Sequence, residues 1–415
     1  MPPIAKKIIG AWLIAGCCMV FFQVIIGGVT RLTGSGLSIT KWDIVTGTIP
    51  PLSEAKWQEE FGKYQLTPQY KLINQDMNMS EFKFIYFWEF FHRFNARLLG
   101  IVFLAGLLYF IYKNWVDRDF FIKLLMLSLP GALIALLHWI MVVSGLINKP
   151  YVSSLMHSIN VFFALVILSY LIYYVIRGQK LTAYLVMLFL LGALIATLGW
   201  IMVASGLIDK PYVSPLKLST HLFFALIILS YLVWLTVYVM REGDKVRIYA
   251  PKQKRVALAV MLLLFIQLFL GGILSGMKAG LAYPTWPTMN GEWIPSALST
   301  LPAKWGGILY YDATAFWEAS LIQILHRCTA YLLVIVIIYF FFQLRGLSKD
   351  KVFNTGVTLF PFAVLLQATL GIITVIHCIG HVPVLWGVLH QAGAMLLLAN
   401  TTFIYYHLSS RKVNR

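Results

Sequence analysis

The chain has 415 residues, of which 60% are hydrophobic and only 12% are charged. Together with a mean hydropathy of +0.78, this composition excludes a soluble globular domain and places the chain in a lipid bilayer. The net charge of +17 is carried by short stretches between apolar blocks, so we interpret it as membrane topology and expect no nucleic-acid partner.

Apolar blocks long enough to cross a bilayer as helices follow one another along the chain, and no strand pattern competes with them. The ten blocks lie at approximately 8–29, 84–112, 120–145, 154–176, 182–206, 218–240, 255–276, 318–344, 352–376 and 384–407. Lys and Arg concentrate in alternate connections, which predicts that both termini are cytoplasmic and that segments 31–83 and 277–317 lie outside. The glycine-rich stretch after the first block is expected to turn the chain out of that helix.

Internal repeats organise these helices. Ala132–Leu171 recurs as Ala193–Leu232 with 29 of 40 positions identical, which indicates a duplicated helical hairpin. A weaker repeat relates the two halves, aligning 23–42 with 267–286 and 89–93 with 323–327, and more faintly setting 219–226, with His221, beside 387–394, with His390. Both halves begin on the same side of the membrane, so their symmetry axis lies along the membrane normal.

The predicted fold is therefore an all-α integral membrane protein with about ten transmembrane helices. Two pseudo-symmetric four-helix bundles are accompanied by one duplicated hairpin. The predicted domains are 1–119 with 178–250, the hairpin 120–177, and 251–415.

Four histidines are the main candidates for chemistry: His92, His221, His326 and His390. Each lies near the outer end of a predicted helix that runs inward, so the four share a similar depth. An imidazole inside a bilayer requires a partner or a task. Two repeat-related pairs at one level fit two axially ligated haems, whereas no Cys or carboxylate cluster completes a zinc site. The alternative is that each histidine only hydrogen-bonds a helix carbonyl or a loop.

Charged residues flank the first histidine of each half. Arg93 and Arg327 follow these histidines directly and are candidates to bind haem propionates. Glu89 lies one turn before His92, where a carboxylate can orient the imidazole or move protons. The alternative is a helix-surface ion pair between Glu89 and Arg93. Because the counterpart of Glu89 is Gln323, we expect the acid-bearing half to be the reactive one.

The duplicated hairpin contains one further candidate, His157. The hairpin position that matches His221 is Asn160, while His157 lies one turn earlier, so a swapped role is an open alternative. His138 occupies the position of Gly199. We expect the hairpin to pack at the edge of the N-terminal bundle and to bind no haem of its own.

Several motifs together resemble the haem A synthase family: GGVTRLTGSGLSITKWDIVTGTIPPL (27–52), WEFFHR (88–93), PYVSPLKLSTHL (211–222), YPTWPTMNG (283–291) and LHQ (389–391). The resemblance implies an oxidoreductase of a bacterial inner membrane. Such an enzyme oxidises the C8 methyl of haem O to a formyl group, with oxygen derived from water, and so makes haem A for terminal oxidases. It also implies that His326 and His390 hold a resident haem b. His92, His221 and Glu89 would then be the catalytic residues around the substrate haem O.

The family resemblance leaves some features open. Some family members carry a cysteine pair in the first outer loop, and this chain has none there, so it is similar to a cysteine-free branch. Haem O synthase, oxidase assembly factors and a second copy of the chain are candidate partners besides the bilayer. The competing functions are a di-haem cytochrome b that only transfers electrons and a haem or small-molecule transporter.

Overall fold

The computed structural model describes residues 1–40, 49–143, 166–167, 169–170, 172–174, 176–178, 180–207, 211–241, 247–302, 305–310, 312 and 314–410. The described part is built from long helices. They are α1 (Pro3–Leu32), α2 (Glu54–Gln65), α3 (Pro68–Ile73), α4 (Met79–Tyr112), α5 (Arg118–Val143), α6 (Lys180–Leu207), α7 (Pro215–Met240), α8 (Pro251–Gly276), α9 (Phe316–Leu344), α10 (Lys351–Ile376) and α11 (Val384–His407). Two short 3₁₀ turns follow α8, at Ala279–Leu281 and Ser296–Leu298. Strands β1 (Ile248–Tyr249) and β2 (Leu408–Ser409) pair in parallel.

Eight helices of the described part are long and apolar enough to cross a membrane: α1, α4 and α6 to α11. The shortest of them has 24 residues, which at 1.5 Å per residue exceeds the ~30 Å hydrocarbon layer of a bilayer. These helices confirm the predicted all-α membrane fold and match eight of the ten predicted blocks. Of the other two blocks, 120–145 coincides largely with α5, and most of 154–176 lies outside the described residues.

Side chains and prolines set several helix starts. Ser214 accepts a hydrogen bond from Lys217 N at the start of α7, where Pro215 occupies the first turn. Asp350 caps α10 in the same way by accepting from Val352 N. Gly34, with φ of 71°, lies just after α1 and makes the expected turn. Gly27 and Gly28 lie inside α1, so the expectation of a turn holds only for the end of the glycine-rich stretch.

The chain divides into two compact units, of which the first comprises Met1–Ala5 and Ile101–Leu191. Asp117 caps α5 in this unit by accepting from Phe120 N. The Phe120 ring is buried and lies 5.2 Å from the Tyr170 ring and 4.3 Å from the Tyr174 ring. Most of the predicted hairpin belongs to this unit, and the proposed domain boundaries stay a prediction.

The second unit comprises Lys6–Gly100 and Gly192–Arg415 and contains helices of both predicted halves. Gln391 of α11 donates to a backbone carbonyl of α1 at 2.8 Å and lies directly against Gly28. Ser219 of α7 donates to a carbonyl of α8 at 2.6 Å and lies against Gly272. Gly28 and Gly272 are equivalent in the repeat. Each half therefore receives a polar side chain from the last helix of the other half at the same small residue, a packing mode common between membrane helices.

Candidate functional site

Each of the four predicted histidines packs against a glycine on the membrane helix that precedes it. A Cβ atom at Gly27, Gly199, Gly271 or Gly371 would lie 3.1, 3.0, 3.1 and 2.8 Å from a ring atom of His92, His221, His326 and His390, respectively. Carbon atoms in contact prefer a separation of about 3.5–4.0 Å. A residue without a Cβ therefore allows each imidazole to approach the helix this closely. We call these four residues the histidine-facing glycines.

The four glycine–histidine contacts lie at corresponding ends of their helices. The histidine-facing glycines precede the last residues of α1, α6, α8 and α10 by five to eight positions. The histidines lie in the first half of α4, α7, α9 and α11. All four imidazoles are partly buried. This arrangement places them toward one end of the helices of the second unit.

The C-terminal pair, His326 and His390, faces across a gap. The ring centroids are 6.5 Å apart and the ring planes are inclined by 75°. Gln267 Nε2 lies 3.1 Å from His326 Nε2, and Gln367 Nε2 lies 2.9 Å from His390 Nδ1. Each glutamine thus engages one ring nitrogen and leaves the second ring nitrogen for another partner.

The N-terminal pair consists of His92 on α4 and His221 on α7. Among the described residues no side chain is hydrogen-bonded to either ring. Gln23, the repeat counterpart of Gln267, instead donates to the backbone carbonyl of His92 at 3.1 Å and accepts from Asn95 at 2.7 Å. The His221 ring is hydrogen-bonded to the backbone of Ile195, so the N-terminal imidazoles have fewer side-chain restraints than the C-terminal ones.

Glu89 is buried and its carboxylate accepts three hydrogen bonds. The donors are Ser38 Oγ at 2.7 Å, Ile39 N at 2.7 Å and Arg93 Nη2 at 2.6 Å. The ion pair considered as an alternative is thus present, but it is buried and not on the helix surface, since Glu89 is 2% exposed. The same carboxylate, one turn from His92, also holds the start of the loop that follows α1.

The two arginines predicted to bind propionates are hydrogen-bonded to carbonyls of the loop that follows the first membrane helix of each half. Arg93 donates to Ile39 O at 3.1 Å. Arg327 donates to four carbonyls of segment 283–288, including Tyr283 O at 3.2 Å. Ile39 and Tyr283 are equivalent in the repeat, so the two halves hold the loops after α1 and α8 in the same way. A role of these arginines toward propionates stays a prediction.

The donor sets fit a haem better than a bare metal ion. Within the described residues no group of three or more His, Cys, Asp or Glu side chains could hold a metal ion. Haem iron requires only one or two axial protein ligands, because its other positions are filled by the macrocycle. Two metal–imidazole bonds of ~2 Å plus the two ring radii give about 6 Å, close to the 6.5 Å between the C-terminal rings. The buried Nδ1 atoms of His221 and His326 also have no side-chain partner in the described part.

The chain is similar to known proteins over nearly its whole length. Residues 10–181 and 165–402 match the COX15-CtaA family of cytochrome oxidase assembly proteins. The chain is 33% identical to a haem A synthase of Flavobacterium psychrophilum over 97% of this chain and 99% of that protein. It is equally 33% identical to haem A synthases of Nitrosospira multiformis (97% and 94% covered) and Parvibaculum lavamentivorans (96% and 93% covered).

The chain belongs to the haem A synthase family. This membership confirms the predicted family, the assignment as an oxidoreductase and the multi-pass membrane location. The haem A synthase relatives cover nearly the whole chain, including the region of the duplicated hairpin. His157 of that hairpin lies outside the described residues, so its alternative role stays open.

Sequence reasoning missed the histidine-facing glycines and the glutamines beside them. A signal was present, because a glutamine precedes the glycine by four positions in Gln23–Gly27, Gln267–Gly271 and Gln367–Gly371. The fourth copy reads IATLG at 195–199, against QATLG at 367–371. Residues four apart share one helix face. The spacing could therefore have predicted a shared surface facing each histidine.

Proposed function

We propose that the chain oxidises the C8 methyl of haem O to the formyl group of haem A at the N-terminal histidine pair. The observation that carries this assignment is the asymmetry between two otherwise equivalent sites. A buried carboxylate, Glu89, lies one turn from His92, whereas Gln323 occupies the equivalent position beside His326. The buried Glu318 of the C-terminal half lies two turns before His326 and accepts from Gly306 N and Gly307 N. Among the described residues, only the N-terminal half therefore has a carboxylate one turn from an imidazole of its pair.

The reaction requires such a proton acceptor. Converting a methyl group to a formyl group adds the oxygen of one water molecule and releases four protons and four electrons. Glu89 is the general base in this proposal, and Arg93 together with Ser38 and Ile39 N fixes the direction of its carboxylate. A low-dielectric site strengthens these hydrogen bonds and makes their geometry matter.

The C-terminal pair suits a permanently held haem b. His326 and His390 each have a glutamine partner, so both rings are held in place. A bis-histidine haem supplies one-electron transfer at this position, which suits the passage of electrons to an acceptor outside the chain. The rival di-haem cytochrome would need both pairs to be permanently ligated, and the less restrained N-terminal pair argues against this.

The duplicated hairpin fits the proposal as an element without a haem. Its sequence replaces Gly199 by His138 and His221 by Asn160, so both members of the glycine–histidine contact are missing from the copy.

We further propose that the membrane is a bacterial inner membrane with both termini in the cytoplasm, supported by the alternation of Lys and Arg along the sequence. Haem O synthase and oxidase assembly factors are proposed partners, because the substrate must be delivered and the product removed.

The test is pigment analysis after co-expression of the chain with a source of haem O. Chromatography and mass spectrometry of the extracted haems are expected to show haem A and haem b in the wild type. His221→Ala and Glu89→Ala are expected to lose haem A and to keep haem b. Haem b alone in every sample, wild type included, would contradict the synthase proposal and favour an electron-transfer cytochrome. A colourless wild-type protein would favour a transporter.

A further inference from the structure

The residue four positions before each histidine-facing glycine differs between the two halves. In the C-terminal half these residues are Gln267 and Gln367, and both reach the imidazoles of their site. In the N-terminal half they are Gln23, which bonds the backbone of His92, and Ile195, whose side chain is apolar and whose backbone is hydrogen-bonded to the His221 ring. The histidine-facing glycine is thus present in all four places, whereas within the described residues a side-chain amide contacts the ring only in the C-terminal pair.

The two C-terminal amides have a further property in common. The Oε1 atoms of Gln267 and Gln367 are both buried without a hydrogen-bond partner in the described part of the chain. A neutral imidazole that binds iron through one nitrogen carries a proton on the other and must donate it. A half-turn of the amide about its last side-chain bond exchanges the nitrogen and oxygen atoms. Each glutamine can then accept that proton from an iron-bound ring.

The N-terminal glutamine is held away from such a role. Gln23 Oε1 accepts from Asn95 Nδ2 at 2.7 Å, and Gln23 Nε2 donates to His92 O at 3.1 Å. Both ends of this amide are therefore occupied. The His221 ring is hydrogen-bonded to the backbone of Ile195, but among the described residues neither N-terminal imidazole has a side chain hydrogen-bonded to it.

We propose that Gln267 and Gln367 are positioning residues that make the C-terminal pair a site of permanent haem binding. No side-chain amide of the described residues contacts a ring of the N-terminal pair, and this leaves that pair able to exchange haem. This inference rests on the proposed function, because exchange is useful only where a haem substrate enters and a haem product leaves. A hydrogen bond from the distal nitrogen raises the basicity of a ligating imidazole and fixes its direction, and loss of such a partner commonly costs 10- to 100-fold in affinity for the metal.

The first experiment compares purified wild-type protein with Gln267→Leu and Gln367→Leu. Leucine preserves much of the side-chain volume and removes the amide. The expected result is that haem b transfers to apomyoglobin at least tenfold faster in both variants. The haem b reduction potential should also rise, because a less basic ligand favours ferrous iron. A tenfold change in the preference for reduced over oxidised iron corresponds to ~59 mV for a one-electron couple. Gln23→Leu is the matched control and is expected to leave both haem b values at the wild-type level.

The complementary experiment adds the missing amide. Ile195→Gln reproduces the QATLG sequence of α10 in α6, and the N-terminal haem is expected to transfer to apomyoglobin at least tenfold more slowly than in the wild type. This variant decides the question if the leucine variants do not fold. An unchanged rate for the N-terminal haem in Ile195→Gln would overturn the proposal.

Two further results would also overturn it. One is a wild-type haem b potential and transfer rate in both leucine variants. The other is an equal change of the haem b values in Gln23→Leu. A wild-type protein that holds two haems and forms no haem A would contradict the proposed function alone, since the comparison of haem retention at the two sites could still be made.

Discussion

Gly371→Ala is expected to displace His390 and to release the C-terminal haem. The added Cβ would lie 2.8 Å from His390 Cε1 and 3.4 Å from its Nδ1. Since carbon atoms in contact prefer about 3.5–4.0 Å, the imidazole or the helix must move by roughly 0.7 Å or more. Overpacking of this kind costs about 1–3 kcal/mol, which corresponds to roughly a five- to 150-fold weaker hold on haem b. The hydrogen bond to Gln367 would be strained by the same movement.

The assay is the amount of haem b per chain after purification, read from the pyridine haemochromogen spectrum, together with the rate of haem loss. Gly192→Ala is the matched control, because Gly192 also lies in a membrane helix and its added Cβ would meet no atom within 4 Å. The control is expected to keep its haem, since Ala favours a helix over Gly. A Gly371→Ala protein with wild-type haem b content and wild-type rate of haem loss would refute the steric argument.

Three other substitutions test the remaining contacts. Glu89→Gln is expected to lower haem A formation by roughly 10²–10⁴-fold, the usual contribution of a general base. Its haem b content should stay unchanged, and a parallel loss of haem b would show a purely structural ion pair. Arg327→Leu removes four hydrogen bonds to segment 283–288, so amide hydrogen exchange in that segment should accelerate, and protection equal to wild type would contradict its anchoring role. Arg31→Ala removes donors at 3.0 and 2.9 Å to the last carbonyls of α8 at 275–276. This substitution should lower the free energy of unfolding by about 1.5–3 kcal/mol, which is expected to lower the thermal unfolding midpoint in detergent. An unchanged midpoint would contradict a stabilising role of Arg31 at the end of α8.

The sequence was sufficient to predict the helices and the histidines because both depend on periodic or repeated features. Apolar length alone predicts a membrane helix. The repeat relates His92 to His326 and His221 to His390, so the four could be selected from nine histidines without a structure. The pairing of Glu89 with Arg93 was also foreseeable from their spacing of four residues.

The contacts of the arginines and glycines were beyond sequence reasoning because they depend on which backbone groups come close in space. Arg93 and Arg327 each donate to carbonyls of a loop that would otherwise need solvent, and their binding of propionates stays a prediction. Glycine is ambiguous in a sequence, since it serves turns and close helix packing alike. Gly27 was read as part of a turn, but its function in the fold is to admit the imidazole of His92.

The neighbouring glycines of the first helix in each half explain how one repeated motif can serve both packing and binding. In each half the first glycine, Gly27 or Gly271, faces the histidine of its own half, and the second, Gly28 or Gly272, faces the last helix of the other half. Adjacent residues on a helix point about 100° apart, so a pair of glycines opens two surfaces at one level of the membrane. A side chain added at the second glycine would push the two halves apart, and the same helix carries the wall of the histidine site. In each half, one glycine of the pair thus shapes the histidine site and the other sets the packing against the other half. This is a physical reason for a Gly-Gly pair in both halves.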